Sequence, residues 1–343
     1  MNAKTGRRPI PERMERLYQR LADFGITRKY ALSVALPPGW NDAETTNPAV
    51  YSQALSYLSR HLNLDLRTLQ DENAPLAWMD CGPTLFKYNQ SVDESELARA
   101  KCLAVRAAQV ACRVVTAPPV PLPDNGAAIR SAILERGAPC VHFESLLNYC
   151  WDCGLPVLHV SHLPEGAKKP DALAGIFAGR PAIVLMKRHT RAAWLLFILA
   201  HEIGHIGRRH LDGDGLLLDA KVSQDNRDTQ EEEANAFAVE ILTGKPDIRY
   251  QAASNLNAEQ LAERALMVER RDKVDAGFVA LNYVRNRGQG YFALGNKALE
   301  HLPNAGDPVA LIQAKTRERL NWEELSRDSR LYLRRMTDAD GAA

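Results

Sequence analysis

His201, Glu202 and His205 stand in the spacing H-E-x-x-H within the stretch Ala192-Ala-Trp-Leu-Leu-Phe-Ile-Leu-Ala-His-Glu-Ile-Gly-His205. On a helix, side chains four positions apart lie one turn above each other, so both imidazoles point at one metal ion. Glu202, next to the first histidine, then reaches a water beside that ion. Zinc lowers the pKa of such a water to about 7, and a carboxylate takes its proton as the water attacks a carbonyl. The chemistry that this spacing offers is metal-assisted hydrolysis. A plainer reading also fits three fixed letters: two histidines that cap the wet end of a core helix. The apolar run Ala192 to Ala200 weighs against it, because it delivers the histidines from a buried segment, where an imidazole without a partner is costly.

Such a site needs a third protein ligand and an open fourth position. His210 gives H-E-I-G-H-I-G-R-R-H, which looks like the metzincin pattern H-E-x-x-H-x-x-G-x-x-H but is one residue short, with its glycine one place early. That shifted register aims His210 elsewhere. Glu231 is the better candidate. In Glu231-Glu-Glu-Ala-Asn-Ala-Phe-Ala-Val-Glu-Ile-Leu242, residues Ala234, Phe237, Ala238, Ile241 and Leu242 fall at helical spacing and make one apolar face. Asn235 follows Glu231 by one turn, where a polar side chain can orient a ligating histidine from behind. Three glutamates also suit a solvated helix N-terminus through the macrodipole. Both readings hold if Glu232 and Glu233 serve the helix while Glu231 faces the metal.

The set Leu199-Ala-His-Glu-Ile-Gly-His205, a loop, then Glu231-x-x-Ala-Asn-x-Phe-Ala238 resembles the ImmA/IrrE family of bacterial metallopeptidases. Trp151 to Leu158 and Gly179 to Leu185 look like the strands that lead into that family's active-site helix, and the resemblance runs from about Asn148 to Gly244. Thr243-Gly244 stands where many members carry Met-Pro. The resemblance implies an α+β fold with a gluzincin-like core, a small sheet plus the H-E-x-x-H helix, flanked by a helical amino-terminal module and a helical carboxy-terminal region. It implies zinc on His201, His205 and Glu231, with Glu202 as general base and then general acid. Manganese suits two histidines and a carboxylate as well. It also implies a narrow role, the site-specific cleavage of a partner helix-turn-helix repressor, which releases transcription of a nearby operon. Members with a similar layout act in mobile-element control, DNA-damage response and the CapP-like branch of anti-phage operons, where single-stranded DNA is an activating signal. The rival reading is a regulatory, antitoxin-like DNA-binding protein whose zincin core is not catalytic.

The rest of the chain must position this site. A length of 343 residues suits two or three domains, and 45% hydrophobic with 25% charged residues is ordinary for a soluble globular protein. A net charge of +1 supplies no global field for nucleic acid, so any such binding rests on local patches. Residues 1 to 30 lack the apolar core of a secretory signal, and the apolar run before His201 is too short to span a bilayer, so a cytoplasmic protein without a membrane partner is expected. Six scattered cysteines fit reduced thiols; Cys150 and Cys153 read as core thiols at a helix end.

Residues 1–80 read as a helical, helix-turn-helix-like module with a basic edge, since eight Lys or Arg stand against three acidic residues up to Leu36. It suits DNA or protein docking. Residues 81–124 comprise a long helix, Asp93 to Thr116, with an alanine-rich face, and a Pro-rich linker, Ala117 to Asp124. Cys112 on that helix is a candidate inhibitory thiol, able to bind the metal as a fourth ligand; a small core residue is the plainer reading. Residues 125–246 form the catalytic domain, with helices over Ala127 to Arg136 and Phe143 to Cys153 and strands near Pro156 to Val160, Gly175 to Ala178 and Ala182 to Met186. Leu211 to Gly215 imitates a calcium loop but lacks the later acidic ligands, so it is a turn. Arg208-Arg209-His210 and Lys187 to Arg191 make basic rims suited to phosphates or an acidic substrate segment. Residues 247–343 read as mostly helical, with helices over Ala258 to Arg271, Gly277 to Arg285 and Trp322 to Met336.

Overall fold

Caps and breakers in the sequence set the elements of the amino-terminal part. α1 (Glu12–Asp23) follows Pro11 and stops at Gly25, whose φ of +85° suits a residue without Cβ. The Thr27 hydroxyl accepts the Tyr30 amide and opens α2 (Arg28–Tyr30), which runs on as a π-turn over Ala31–Ala35 until the prolines at 37 and 38. Asn47 caps α3 (Pro48–Leu62), and Asp65 caps α4 (Leu66–Gln70). The computed structural model describes residues 9–80, 85–86, 94–177, 179–211, 224–304 and 306–339. Lys4, Arg7 and Arg8 of the basic edge, and the calcium-loop imitation from Asp212 on, lie outside them.

Much of the described basic edge is consumed inside the molecule. Arg13 and Arg16 pair with Glu72, and Arg28 with Asp42. Arg20 donates through one nitrogen to the carbonyl oxygens of Thr68, Asp71 and Ala74 at 2.7, 3.0 and 2.8 Å. Arg13, Arg16 and Arg20 fasten α1 to α4 and the turn after it, and Arg28 ties α2 to the turn at Asp42.

The sheet contains β1 (Leu85–Phe86), β2 (Val157–His159), β3 (Ala172–Phe177) and β4 (Arg180–Leu185), in the order β1-β3-β4-β2. β3 is antiparallel to β1 and to β4, while β2 runs parallel to β4 with Val157 opposite Ile183. Ala182 to Leu185 are all fully buried. Successive side chains of a strand point to opposite faces, so both faces of the sheet are covered. α5 (Glu94–Cys112) packs on β3 and β4, and α6 (Gly126–Glu135) and α7 (Phe143–Asp152) lie beyond the proline-rich stretch. That stretch is strapped down: the Val120 amide donates to Cys153 at 2.9 Å, and Arg180 donates to the carbonyl oxygens of Ala117 and Gly154 at 2.8 and 2.6 Å.

The remaining helices are α8 (Ala192–Gly207), α9 (Gln224–Thr243), α10 (Ala258–Asp272), α11 (Ala276–Arg287), α12 (Phe292–Glu300), α13 (Pro308–Arg319) and α14 (Arg327–Thr337). β3 begins at Ala172, ahead of the expected Gly175, and the helix expected over Trp322 to Met336 is divided. A 3-10 turn over Trp322–Glu324 ends there, and Ser326 starts α14 afresh by accepting the Ser329 amide. α14 closes the molecule. Arg335 donates to the Leu36 carbonyl at 2.9 Å, the Ser161 amide donates to Met336 at 2.9 Å, and the Tyr332 ring stacks on His61. One hydrophobic core runs from Met14 to Met336 and crosses the boundaries drawn at residues 80, 124 and 246. Among the described residues no helix is long and apolar enough to cross a membrane.

Candidate metal centre

α8 is apolar on nearly every side, and a helix of that kind belongs inside a protein. Leu195, Leu196, Leu199, Ala200 and Ile203 are fully buried, and His201, Glu202 and His205 follow them into the interior at 1, 2 and 2% exposure. α9 lies alongside at a separation that only glycine permits. A β-carbon on Gly204 would stand 2.7 Å from the carbonyl oxygen of Ala234. Because the backbones meet at Gly204 and Ala234, the residues on either side face each other: His201 and His205 from α8, Glu231 and Asn235 from α9.

The Nε2 atoms of His201 and His205 are 3.0 Å apart. Each lies 3.3 Å from a carboxylate oxygen of Glu231. A tetrahedral ion with bonds of about 2.0–2.1 Å spaces its ligand atoms by about 3.3–3.4 Å. The two separations to Glu231, one to each carboxylate oxygen, fit that spacing and the imidazole pair falls a few tenths of an ångström short of it, so the donor set suits a zinc-sized ion. Burial alone would raise the Glu231 carboxyl, but the hydrogen bonds and charges of His201 and His205 outweigh it and hold the group well below the usual carboxylate range. The far nitrogen of His201, Nδ1, lies 3.1 Å from Oδ1 of Asn235.

His210 is placed behind His205, not beside it. Arg208 closes α8, and Arg209 turns left-handed at φ +58°. The Arg209 amide then donates to Ile206 at 3.0 Å and the His210 amide to His205 at 2.9 Å. This is the Schellman arrangement, which brings the second residue past the cap against the third residue before it. Here the contact is polar: His210 Nδ1 lies 2.9 Å from His205 Nδ1, and His210 Nε2 lies 2.9 Å from Oε2 of Glu233. Burial pushes the His210 imidazole down in pKa while Glu233 pulls it up, and the same hydrogen bond lowers the Glu233 carboxyl.

Phe197, one turn before His201, stacks on Phe278 of α11 with centroids 6.2 Å apart, and the Arg285 guanidinium lies 5.3 Å from its ring. The basic rims are partly neutralised. Lys187 pairs with Asp171, Arg188 with Asp307 at 2.7 Å, and Arg208 approaches Glu233 at 3.9 Å. Cys112 is buried in α5 and does not belong to the group formed by His201, His205 and Glu231; burial pushes its thiol up to about 12. Cys150 and Cys153 are free thiols.

Sequence reasoning brought His201, Glu202, His205, Glu231 and Asn235 to one place but passed over Gly204, the pairing of His210 with Glu233, and Arg285. Gly204 had a signal, since a glycine inside a helix facing an alanine-rich helix marks close approach. A second gathering of donor atoms, Cys140, Glu269 and Asp275, was also missed; there the Cys140 thiol donates to Glu269 at 3.6 Å and Asp275 caps α11 by accepting the Phe278 amide.

No curated protein and no solved structure matches the chain. Residues 161–270 match the family Peptidase_M78, described as the IrrE N-terminal-like domain. The matched segment starts just past β2, holds α8 and α9 whole and runs into the last turn of α10, so it contains every residue of the triangle. Over this segment, about a third of the chain, the protein is similar to the IrrE N-terminal-like domain of the ImmA/IrrE metallopeptidases.

Proposed function

We propose that the protein is a zinc-dependent endopeptidase that cleaves one partner protein, a helix-turn-helix repressor, and thereby releases transcription of an operon under stress, mobile-element or anti-phage control. The observation that carries the catalytic part is the triangle of His201 Nε2, His205 Nε2 and Glu231 with edges of 3.0, 3.3 and 3.3 Å. His201, His205 and Glu231 would hold the ion, and Asn235 would orient His201. Zinc, when bound, supplies a Lewis acid that acidifies water and polarises the scissile carbonyl. Glu202, beside His201, takes the proton of the attacking water and returns it to the leaving amide nitrogen as the peptide C–N bond breaks. Its burial at 2% exposure keeps competing solvent away from that proton. A cytoplasmic setting is supported by the free thiols.

Single-stranded DNA as activator is part of the proposal. Arg13, Arg16, Arg20 and Arg28 are already engaged, so a strand would be met by other residues, such as Lys29 or the basic segment before Ile10. The test is cleavage of the repressor encoded beside this gene, with and without single-stranded DNA, by the wild type and by Glu202→Gln. Cleavage that the variant loses while keeping its zinc supports the peptidase. A zinc-loaded wild type that cleaves nothing under either condition supports the DNA-binding, antitoxin-like alternative.

A further inference from the structure

We infer that His210 and Glu233 form a charge-terminated hydrogen-bond relay that positions His205 for the metal. The inference rests on the zinc reading above and adds two residues to it. His205 turns Nε2 toward His201 and Glu231, so Nε2 is the atom that meets an ion. An imidazole that binds through one nitrogen carries its proton on the other. His205 Nδ1 is therefore the donor, and His210 Nδ1 at 2.9 Å is the acceptor. A neutral imidazole that accepts at Nδ1 holds its own proton at Nε2, which leaves His210 Nε2 to donate to Glu233 Oε2 at 2.9 Å. One choice at the metal thus fixes both tautomers.

The two histidine ligands are served differently. His201 ends on the neutral amide of Asn235 at 3.1 Å, whereas His205 ends, two bonds away, on a carboxylate whose side chain is 41% exposed. His210 itself is 5% exposed, so the link between them is sheltered from water. Hydrogen bonding of this kind holds a ligating ring in one orientation and raises its basicity. The Schellman turn at Arg209 is what brings the three groups into line.

The test compares zinc dissociation constants of the wild type, Glu233→Gln, His210→Asn and His210→Ala, by competition with a chromophoric chelator. The d–d spectra of the cobalt-substituted proteins are recorded alongside. His210→Ala breaks both bonds and is expected to weaken zinc by about 10- to 100-fold. His210→Asn keeps an acceptor near His205 but falls short of Glu233, and Glu233→Gln keeps an acceptor but removes the charge; both are expected to lie between Ala and the wild type, with shifted cobalt spectra. Equal affinities and spectra in all four proteins overturn the relay. So does a loss confined to His210→Ala, which would make the ring a space-filler. If His210→Ala does not fold, Glu233→Gln, altered at a half-exposed side chain, decides the matter. A wild type that takes up no zinc defeats the reading of the site itself, whereas one zinc bound equally by every variant defeats the relay alone.

Discussion

Gly204 of α8 and Ala234 of α9 touch backbone to backbone, with no space for even a methyl group between them: a Gly204 β-carbon would come within 2.7 Å of the Ala234 carbonyl oxygen and 3.0 Å of its Cα. Neither contact atom belongs to a flexible side chain, so Gly204→Ala must move one helix. Overpacking of this sort costs about 1–3 kcal/mol. Because Glu231 rides on the displaced helix, the variant is expected to melt lower and to hold less zinc per protein. Metal content by atomic absorption and a thermal melt check both; full zinc occupancy in Gly204→Ala would show that the helix contact does not set the triangle.

Arg209 holds a left-handed backbone, which costs a residue with a β-carbon about 1–2 kcal/mol. Arg209→Val worsens the strain and is expected to lower both stability and zinc affinity, since the turn that presents His210 loosens. Arg209→Gly is expected to keep zinc affinity at the wild-type value. Urea titration with and without zinc measures the pair.

How far the sequence speaks depends on whether a signal is local. The helices at the amino end are legible because Thr27, Asn47-Pro48 and Asp65 are side-chain caps that act within a few residues. His201, Glu202 and His205 are legible because one helical turn fixes their geometry, and Glu231 because its helix has an apolar face. α13 was within reach, since Asp307-Pro308 has the cap-then-proline form of a helix start. His210 was not. Its position depends on a left-handed residue, usually announced by glycine, and here that residue is an arginine. The pairing of the basic edge was illegible for the opposite reason: composition counts charges, but Glu72 and Asp42 that answer them stand 59 and 14 residues away from Arg13 and Arg28.

Arg130 is 8% exposed and donates to Leu242, Asp272 and Lys273 at 2.6, 2.9 and 2.8 Å, closing the carbonyl ends of α9 and α10 with one guanidinium. Arg130→Met leaves those oxygens without it. A destabilisation of about 3 kcal/mol is expected, since an unpaired buried acceptor costs about 1–3 kcal/mol. Chemical denaturation gives the number, and a loss below about 0.5 kcal/mol would mean that water replaces the arginine freely.

Burial raises the Asp275 carboxyl to about 6, the Phe278 amide opposing and the Glu269 charge adding to it. Its folded pKa exceeds the unfolded value of about 3.9, so the native state binds the proton more tightly. The resulting stabilisation is complete below about pH 4 and is lost as pH rises through 6. Asp275→Asn keeps a capping oxygen and no charge. Its melting temperature relative to the wild type is expected to improve between pH 5 and pH 8; a pH-independent difference would refute the assignment.

Cys112 is a neutral thiol in a packed helix, with its pKa pushed up to about 12 by burial. Cys112→Ser is expected to leave zinc affinity and basal cleavage as they are. A gain in activity would instead assign the thiol an inhibitory role.

The bond from Arg335 to the Leu36 carbonyl joins residues 299 positions apart, and Met336 lies in the same core as Leu36 and Met14. Contacts of such long range slow folding, because the chain must close the loop before the contact repays it. On the ribosome, the amino-terminal helices therefore wait for α14 with Leu36 and His61 short of their final cover. A nascent chain halted before α14 is the form that a chaperone would meet.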